Sequence, residues 1–195
     1  RNRRRPPGRV RMTGASRPAD LRPGYLVVHS DEAGTYVGGL MVTDDSGLPL
    51  DFRYTDPITP TRLQRALYGG ALDRYLRADV VASTLLGAIT ERPTVLIVDD
   101  ERLLEAVAAD CPVASVITTS VPPLGARGET RAEGSGGMLV QAVESRSPLR
   151  VDVTDQAVMA QMVAFLVTLS ERMDPLEPAD RVRAALALIA AGEAA

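Results

Sequence analysis

Apolar residues along the chain fall into short runs that predict a sheet. Residues 24–30 and 94–98 form nearly uninterrupted apolar, β-branched runs, and the second run is typical of a strand that is covered on both faces. Residues 49–55 alternate apolar and polar side chains, which predicts a strand with one buried face. The same reasoning predicts further strands over residues 36–43, 112–118, 138–144 and 149–153. Residues 122–137 contain two prolines and five glycines, which predicts a long flexible loop.

Helical spacing appears between the third and fourth predicted strands and again at the C-terminal end. Thr59 is predicted to cap the first helix, with Pro60 at its first position. Gly69-Gly70 predicts a break, after which a second helical stretch runs to about Thr90. Further helices are predicted over residues 101–109, 155–173 and 178–191. In the helix over 155–173 an apolar stripe is expected to be buried, and it includes Met159, Met162 and Leu166.

This order of elements resembles ribonuclease-H-like domains. Three strands in a meander are followed by a helix, then by a strand that ends on two aspartates, and a strand–helix–strand unit predicts a parallel crossover. We expect an α/β fold whose mixed sheet begins as an antiparallel meander and continues in parallel strands, with flanking helices and a helical C-terminus. Residues 1–22 are predicted to be a disordered basic tail, and residues 23–195 a single domain that ends in a helical pair over 155–195.

Acidic residues follow the first and fourth predicted strands. Asp31-Glu32 opens the turn after the first strand, and Asp99-Asp100 ends the fourth. In ribonuclease-H-like nucleases the ends of these two strands bring carboxylates together around divalent metal. The resemblance therefore implies that Asp31, Glu32, Asp99 and Asp100 are ligands of Mg²⁺ or Mn²⁺.

Each acidic pair also has a simpler interpretation, which the sequence favours. An acidic residue before Gly34 is common in hairpin turns, and an aspartate after a strand commonly caps the helix that follows. A nuclease of this class would also place acids on its first long helix and on a late helix. Asp73 and Asp155 are the nearest candidates, and neither is convincingly placed by the pattern. The favoured prediction therefore has no metal cofactor.

Other catalytic chemistry finds little support. His29 is the single histidine, and no Gly-x-Ser-x-Gly run accompanies it, which argues against a nucleophilic triad. Cys111 is the single cysteine and is expected to be a small buried residue. The hairpin formed by residues 31–35, together with Gly38-Gly39, is similar to the phosphate loop of actin-like ATPases. Those proteins need two such domains, and a Walker-type run is excluded because the chain has no lysine.

The net charge of the chain limits which classes of partner it is expected to bind. The chain of 195 residues has a net charge of −3, and all 22 of its basic residues are arginine. Six arginines precede Met12, which is itself a candidate start, and without them the net charge is −9. An acidic body argues against broad electrostatic attraction to nucleic acid. The apolar runs are too short to span a membrane and no signal-peptide core follows the basic start, so a cytoplasmic protein is expected.

Residues 36–70 resemble a family of uncharacterised bacterial proteins, through the segments Gly-Gly-Leu-Met-Val-Thr-Asp, Phe-Arg-Tyr-Thr-Asp-Pro and Leu-Gln-Arg-Ala-Leu-Tyr-Gly. That resemblance implies no activity. The sequence favours a non-catalytic module that binds a small ligand or a protein partner, with the C-terminal helices able to form a homo-oligomer. The alternative is a divalent-metal-dependent, ribonuclease-H-like nuclease acting on nucleic acid. The sequence does not decide whether the protein is an enzyme.

Overall fold

The computed structural model describes residues 21–134 and 136–192, which build one eight-stranded mixed sheet with helices on both faces. Apart from its last two residues, the predicted tail 1–22 lies outside the described part of the chain. The strand order is β3-β2-β1-β4-β5-β8-β7-β6. The strands are β1 (Pro23–Ser30), β2 (Tyr36–Thr43), β3 (Pro49–Tyr54), β4 (Val95–Val98), β5 (Val113–Thr118), β6 (Thr130–Glu133), β7 (Gly137–Val140) and β8 (Leu149–Asp152).

The first five strands confirm the predicted architecture. β1, β2 and β3 pair antiparallel in a meander, whereas β4 pairs parallel to β1 and β5 pairs parallel to β4. All four residues of β4 are buried, as expected of a strand covered on both faces. The sheet is therefore the mixed α/β arrangement that the order of apolar runs predicts.

In the second half of the sheet, the strands predicted over residues 138–144 and 149–153 are present as β7 and β8, but β6 was not predicted. β6 lies within residues 122–137, for which the sequence predicts a flexible loop, and it pairs antiparallel with β7. β7 and β8 then extend the sheet antiparallel beyond β5. The loop prediction is wrong here because β6 is an edge strand. Its residues are mostly polar and exposed, so no apolar periodicity marks it.

The helical region after β3 begins two residues later than predicted. Thr61, not Thr59, caps α1 (Arg62–Tyr68), and it forms a capping box with Gln64. The predicted break at Gly69 is confirmed by a 3₁₀ turn, Gly69–Ala71. A continuous helical run follows through α2 (Leu72–Arg74), a π-helical segment (Tyr75–Ala82) and α3 (Ser83–Ala88).

Between β4 and β5 the predicted helix over 101–109 is reduced to one 3₁₀ turn, Glu101–Leu103. The C-terminal helical pair is confirmed as α4 (Met159–Leu169), which follows a 3₁₀ turn, and α5 (Glu177–Ala190). No helix in the described ranges is long and apolar enough to cross a membrane.

Two apolar layers hold these helices on the sheet. α4 and α5 cover one face, where Met159, Met162 and Leu166 are buried as predicted, and the run from α2 to α3 covers the other. Gly38 and Gly39 let both layers approach β2 closely. A Cβ at Gly38 would lie 2.2 Å from a methyl carbon of Val81, and one at Gly39 would lie 3.0 Å from a methyl carbon of Val182. Close backbone approach is thus the reason for glycine here.

Candidate functional site at the ends of strands β1 and β4

The carboxyl ends of β1 and β4 meet at one edge of the sheet, because the two strands run parallel with Leu26 opposite Val98. Side chains alternate between the two faces of a strand. Asp99 therefore follows Ile97 onto the face that α4 and α5 cover, whereas Asp100 follows Val98 onto the face of the α2–α3 run. The two neighbouring aspartates belong to two different environments.

On the Asp100 face a buried arginine joins three elements. The side chain of Arg77, only 6% exposed, donates hydrogen bonds from Nε to Asp73 Oδ1 (2.9 Å), from Nη1 to the Val28 carbonyl (2.7 Å) and from Nη2 to Ser30 Oγ (2.7 Å). Its Nη1 also lies 3.7 Å from Asp100 Oδ2. The guanidinium group thus contacts the end of β1, the aspartate that follows β4 and the aspartate on α2.

A second arginine covers the same carboxylates from the solvent side. Arg102 Nη2 lies 2.6 Å from Asp100 Oδ2, and Arg102 Nη1 lies 3.2 Å from Asp73 Oδ2. Asp100 also caps the 3₁₀ turn by accepting a hydrogen bond from the Arg102 backbone. Tyr36 donates to Asp73 Oδ1 (2.9 Å), and its ring faces Arg77. We call Asp73, Arg77, Asp100 and Arg102 the acid–arginine cluster.

The arginines determine the charge state of this cluster. Burial opposes ionisation of Asp100, but the hydrogen bonds and charge of Arg102 outweigh it and lower the pKa of that carboxyl group. Burial likewise opposes ionisation of Asp73, and its hydrogen bonds with Arg77 and Tyr36 lower its pKa. Both carboxylates are therefore ionised and paired at neutral pH.

This pairing predicts an acid dependence of stability. A carboxyl group whose pKa is lower in the folded than in the unfolded protein stabilises the fold above the unfolded value, about 3.9, and loses that contribution as pH falls through the folded pKa. An Arg102→Ala variant should lose less stability on acidification than wild type, by about 1 kcal/mol or less because the pair is exposed. Urea unfolding at several pH values below neutral measures this. Parallel pH profiles for the two proteins would contradict it.

The Asp99 face holds a small cavity. Its volume is about 290 Å³, and Asp99, His29 and Arg183 line it together with apolar residues of β1 and α5. Asp99 Oδ2 lies 3.5 Å from Arg183 Nε, while its buried Oδ1 accepts no hydrogen bond from the described residues. Burial is the main reason that the pKa of Asp99 is raised.

The structure places Asp31 and Glu32 in the exposed hairpin turn after β1. Asp31 Oδ1 accepts a hydrogen bond from the Thr35 backbone (2.7 Å), which closes the turn, and Gly34 supplies the left-handed conformation with a φ of 76°. Within the described ranges, no three acidic, histidine or cysteine side chains are grouped so that they could hold a metal ion. The four acids named from the sequence as joint metal ligands stay a prediction.

The sequence pattern does not place Asp73 convincingly as a site residue, yet in the structure it belongs to the acid–arginine cluster. The signal available was its i,i+4 spacing from Arg77 on one helix. Asp155 instead caps the 3₁₀ turn before α4. Cys111 is half-buried, and burial raises the pKa of its thiol to about 11, so it is not a reactive thiolate.

A meander beside two parallel strands, with carboxylates where β4 ends, defines a ribonuclease-H-like α/β fold. Among solved structures, endonuclease V from Streptomyces avermitilis matches this chain with a TM-score of 0.62, covering 91% of this chain and 84% of that one at 18% sequence identity. Human endonuclease V matches with a TM-score of 0.53 over 89% and 86% of the two chains, also at 18% identity.

Endonuclease V from Ciona intestinalis, in complex with DNA that contains an inosine followed by a ribo-adenosine, matches with a TM-score of 0.50. This match covers 85% of this chain and 83% of that one at 9% identity. No protein-family model and no curated protein matches the sequence. At these identities the likeness shows a shared fold. Because the neighbours are nucleases, it contradicts the favoured interpretation as a non-catalytic binding module and supports the nuclease alternative.

On the face of Asp73 and Asp100, the residues do not fit the divalent metal site that the fold implies. β1 offers the Val28 carbonyl and the Ser30 hydroxyl at this edge, and both already accept hydrogen bonds from Arg77. The Arg77 guanidinium group also lies against Asp73 and Asp100, the two carboxylates of that face. A metal ion between those carboxylates would meet a fixed positive charge, which Coulomb repulsion opposes.

Proposed function

We propose that this chain is a nuclease-related protein that acts on nucleic acid, and that it engages an unpaired strand along the edge where β1 and β4 end. The observation that carries the proposal is the likeness in fold to endonuclease V over nearly the whole of both chains. The neighbour from Ciona intestinalis is bound to DNA, which supports nucleic acid as the class of target.

The surface of α1 suits such a strand. No residue of this helix is buried, and Leu63 and Leu67 are exposed beside Arg62 and Arg65. Tyr68 stacks on Tyr75 with 4.3 Å between the ring centroids. Proteins that bind single strands combine basic side chains, which follow the backbone, with aromatic rings on which bases stack.

Contacts place this helix at the same edge as the acid–arginine cluster. Arg65 Nη2 donates a hydrogen bond to the Ala33 carbonyl in the turn after β1 (3.2 Å). Tyr36, which opens β2 after the same turn, donates to Asp73 of the cluster. A strand lying on α1 would therefore pass the ends of β1 and β4.

Fluorescence anisotropy with short labelled oligonucleotides tests the proposal. Single-stranded DNA and RNA, with and without inosine, should bind, and duplexes should bind more weakly. A triple variant, Arg62→Ala, Arg65→Ala and Tyr68→Ala, should weaken binding by about tenfold or more, since each lost stacking contact alone is worth roughly 1–3 kcal/mol. Cleavage is scored in the same samples on denaturing gels.

The matched control is Arg131→Ala, which removes an exposed arginine from β6 at the far edge of the sheet. This variant should bind like wild type. Failure of the wild-type protein to bind or cut any of these nucleic acids would overturn the proposal. Equal losses in the triple variant and the control would contradict the placement on α1.

A further inference from the structure

Arg77 is a fixed part of the fold. A buried charge is costly unless its hydrogen bonds and its partners are in place, and Arg77 has both. Its three nitrogen atoms donate to Asp73 on α2 and to Val28 and Ser30 on β1, and its guanidinium lies 5.5 Å from the centre of the Tyr36 ring. Moving this side chain away would take a donor from the buried Val28 carbonyl and from the partly buried Ser30 hydroxyl and Asp73 carboxylate.

Arg77 lies where the resemblance to ribonuclease-H-like nucleases implies a divalent cation. In the ribonuclease-H-like arrangement, metal lies between the end of strand one and carboxylates near the end of strand four. Here the guanidinium group contacts the end of β1, Asp73 and Asp100 at once. Two carboxylates and two guanidinium groups leave the acid–arginine cluster without net charge, so it needs no further cation.

We infer that Arg77 takes the place of the divalent cation in this chain, so that the site is complete without metal and its action on nucleic acid does not require Mg²⁺ or Mn²⁺. The second part of this inference rests on the proposed function. The first part concerns the fold alone and can be tested without nucleic acid.

The competing arrangement is a metal ion that displaces Arg102. That side chain is 59% exposed, and its departure would free oxygen atoms of Asp73 and Asp100. Arg77 would still lie between the same two carboxylates. The test must therefore separate a site that admits metal from one that does not.

Thermal unfolding in EDTA and in millimolar Mg²⁺ or Mn²⁺, at matched ionic strength, makes that distinction for wild type, Arg102→Ala and Asp100→Asn. A cation present at 100 times its Kd would raise the Tm of a domain of this size by roughly 5–10 °C. We expect no metal-dependent rise in any of the three proteins. A rise in wild type that Asp100→Asn abolishes would overturn the inference.

Removal of Arg77 gives the variant in which a response to metal is expected. In Arg77→Met the two carboxylates lose the buried cation between them and keep only the exposed Arg102, so Mn²⁺ should raise the Tm of this variant and not that of wild type. Arg77→Lys keeps the charge and serves as the matched control, without a response to Mn²⁺. If Arg77→Met does not fold in EDTA, recovery of its circular dichroism in Mn²⁺ is the readout. Absence of any Mn²⁺ effect on Arg77→Met would contradict the assignment of a cation position.

Oligonucleotide binding separates the two proposals. Equal affinity in EDTA and in Mg²⁺ supports both the function and the inference. Binding that requires Mg²⁺ overturns the inference and keeps the function. No binding in either buffer overturns the function, and the thermal unfolding data then decide the inference about Arg77 alone.

Discussion

A Leu166→Asp variant is expected to lose a large part of its free energy of unfolding. Leu166 lies on α4 and is fully buried, within the apolar layer between α4, α5 and the sheet. An aspartate there would place a carboxylate among apolar groups without a partner, at a cost of about 4 kcal/mol or more. That is a large share of the roughly 5–15 kcal/mol by which domains are stable. Circular dichroism and urea unfolding measure the loss.

The control for this change is Leu188→Asp, on the neighbouring helix α5. Leu188 is 51% exposed, so the new carboxylate stays in contact with water. We expect its free energy of unfolding to stay within about 0.5 kcal/mol of wild type. Wild-type stability in Leu166→Asp would show that α4 does not cover the sheet.

An Arg77→Met variant, measured in EDTA, should lose about 3 kcal/mol of unfolding free energy. Breaking a buried ion pair by removing one partner leaves the other charges uncompensated, and that is where most of the cost arises. Asp73 and Asp100 would be left with only the exposed Arg102 as a cation, and the Val28 carbonyl would lose its buried donor. Urea unfolding gives the free energy.

A double variant, Arg77→Met with Asp73→Asn, should recover part of this loss, because Arg102 then has a single carboxylate, Asp100, to compensate. The matched control is Arg74→Met, an exposed position on the same helical run, which should change stability little. If Arg77→Met costs no more than Arg74→Met, Arg77 does not hold the cluster together.

The pattern of apolar residues was sufficient to predict the central strands of the sheet. It was insufficient to predict the burial and the presence of its edge strands. β1, β2 and β4 are buried on both faces, so their apolar runs marked them. β3 lies at an edge, and the face predicted to be buried leaves Leu50 and Tyr54 half exposed. β6 pairs on one side only and needs no apolar face, so nothing in its sequence marked it.

The helical spacing of apolar residues also overestimated the length of the helix between β4 and β5. Leu103, Leu104 and Val107 recur at helical intervals, yet only Leu103 is fully buried in this segment. One 3₁₀ turn is enough to bring that side chain into the layer formed with the α2–α3 run. Helical spacing alone therefore did not determine the length of the element.

The candidate site, too, could be predicted from the sequence only in part. The position of Asp99 and Asp100 at the end of a buried strand follows from the apolar run before them. Their separation onto opposite faces follows from strand geometry once the strand is known. The convergence of Asp73 and Arg77 on that strand end depends on how the helical run packs across the sheet. No local pattern contains that information.

Amide chemical-shift mapping in EDTA shows where on this protein a short single-stranded oligonucleotide binds. We expect shifts concentrated at the edge where β1 and β4 end: at Ser30, at Gly34, along α1 and at Arg102. We expect no shifts in β6 and β7, at the far edge of the sheet. Shifts confined to β6 and β7, or a spectrum unchanged by the oligonucleotide, would contradict this expectation.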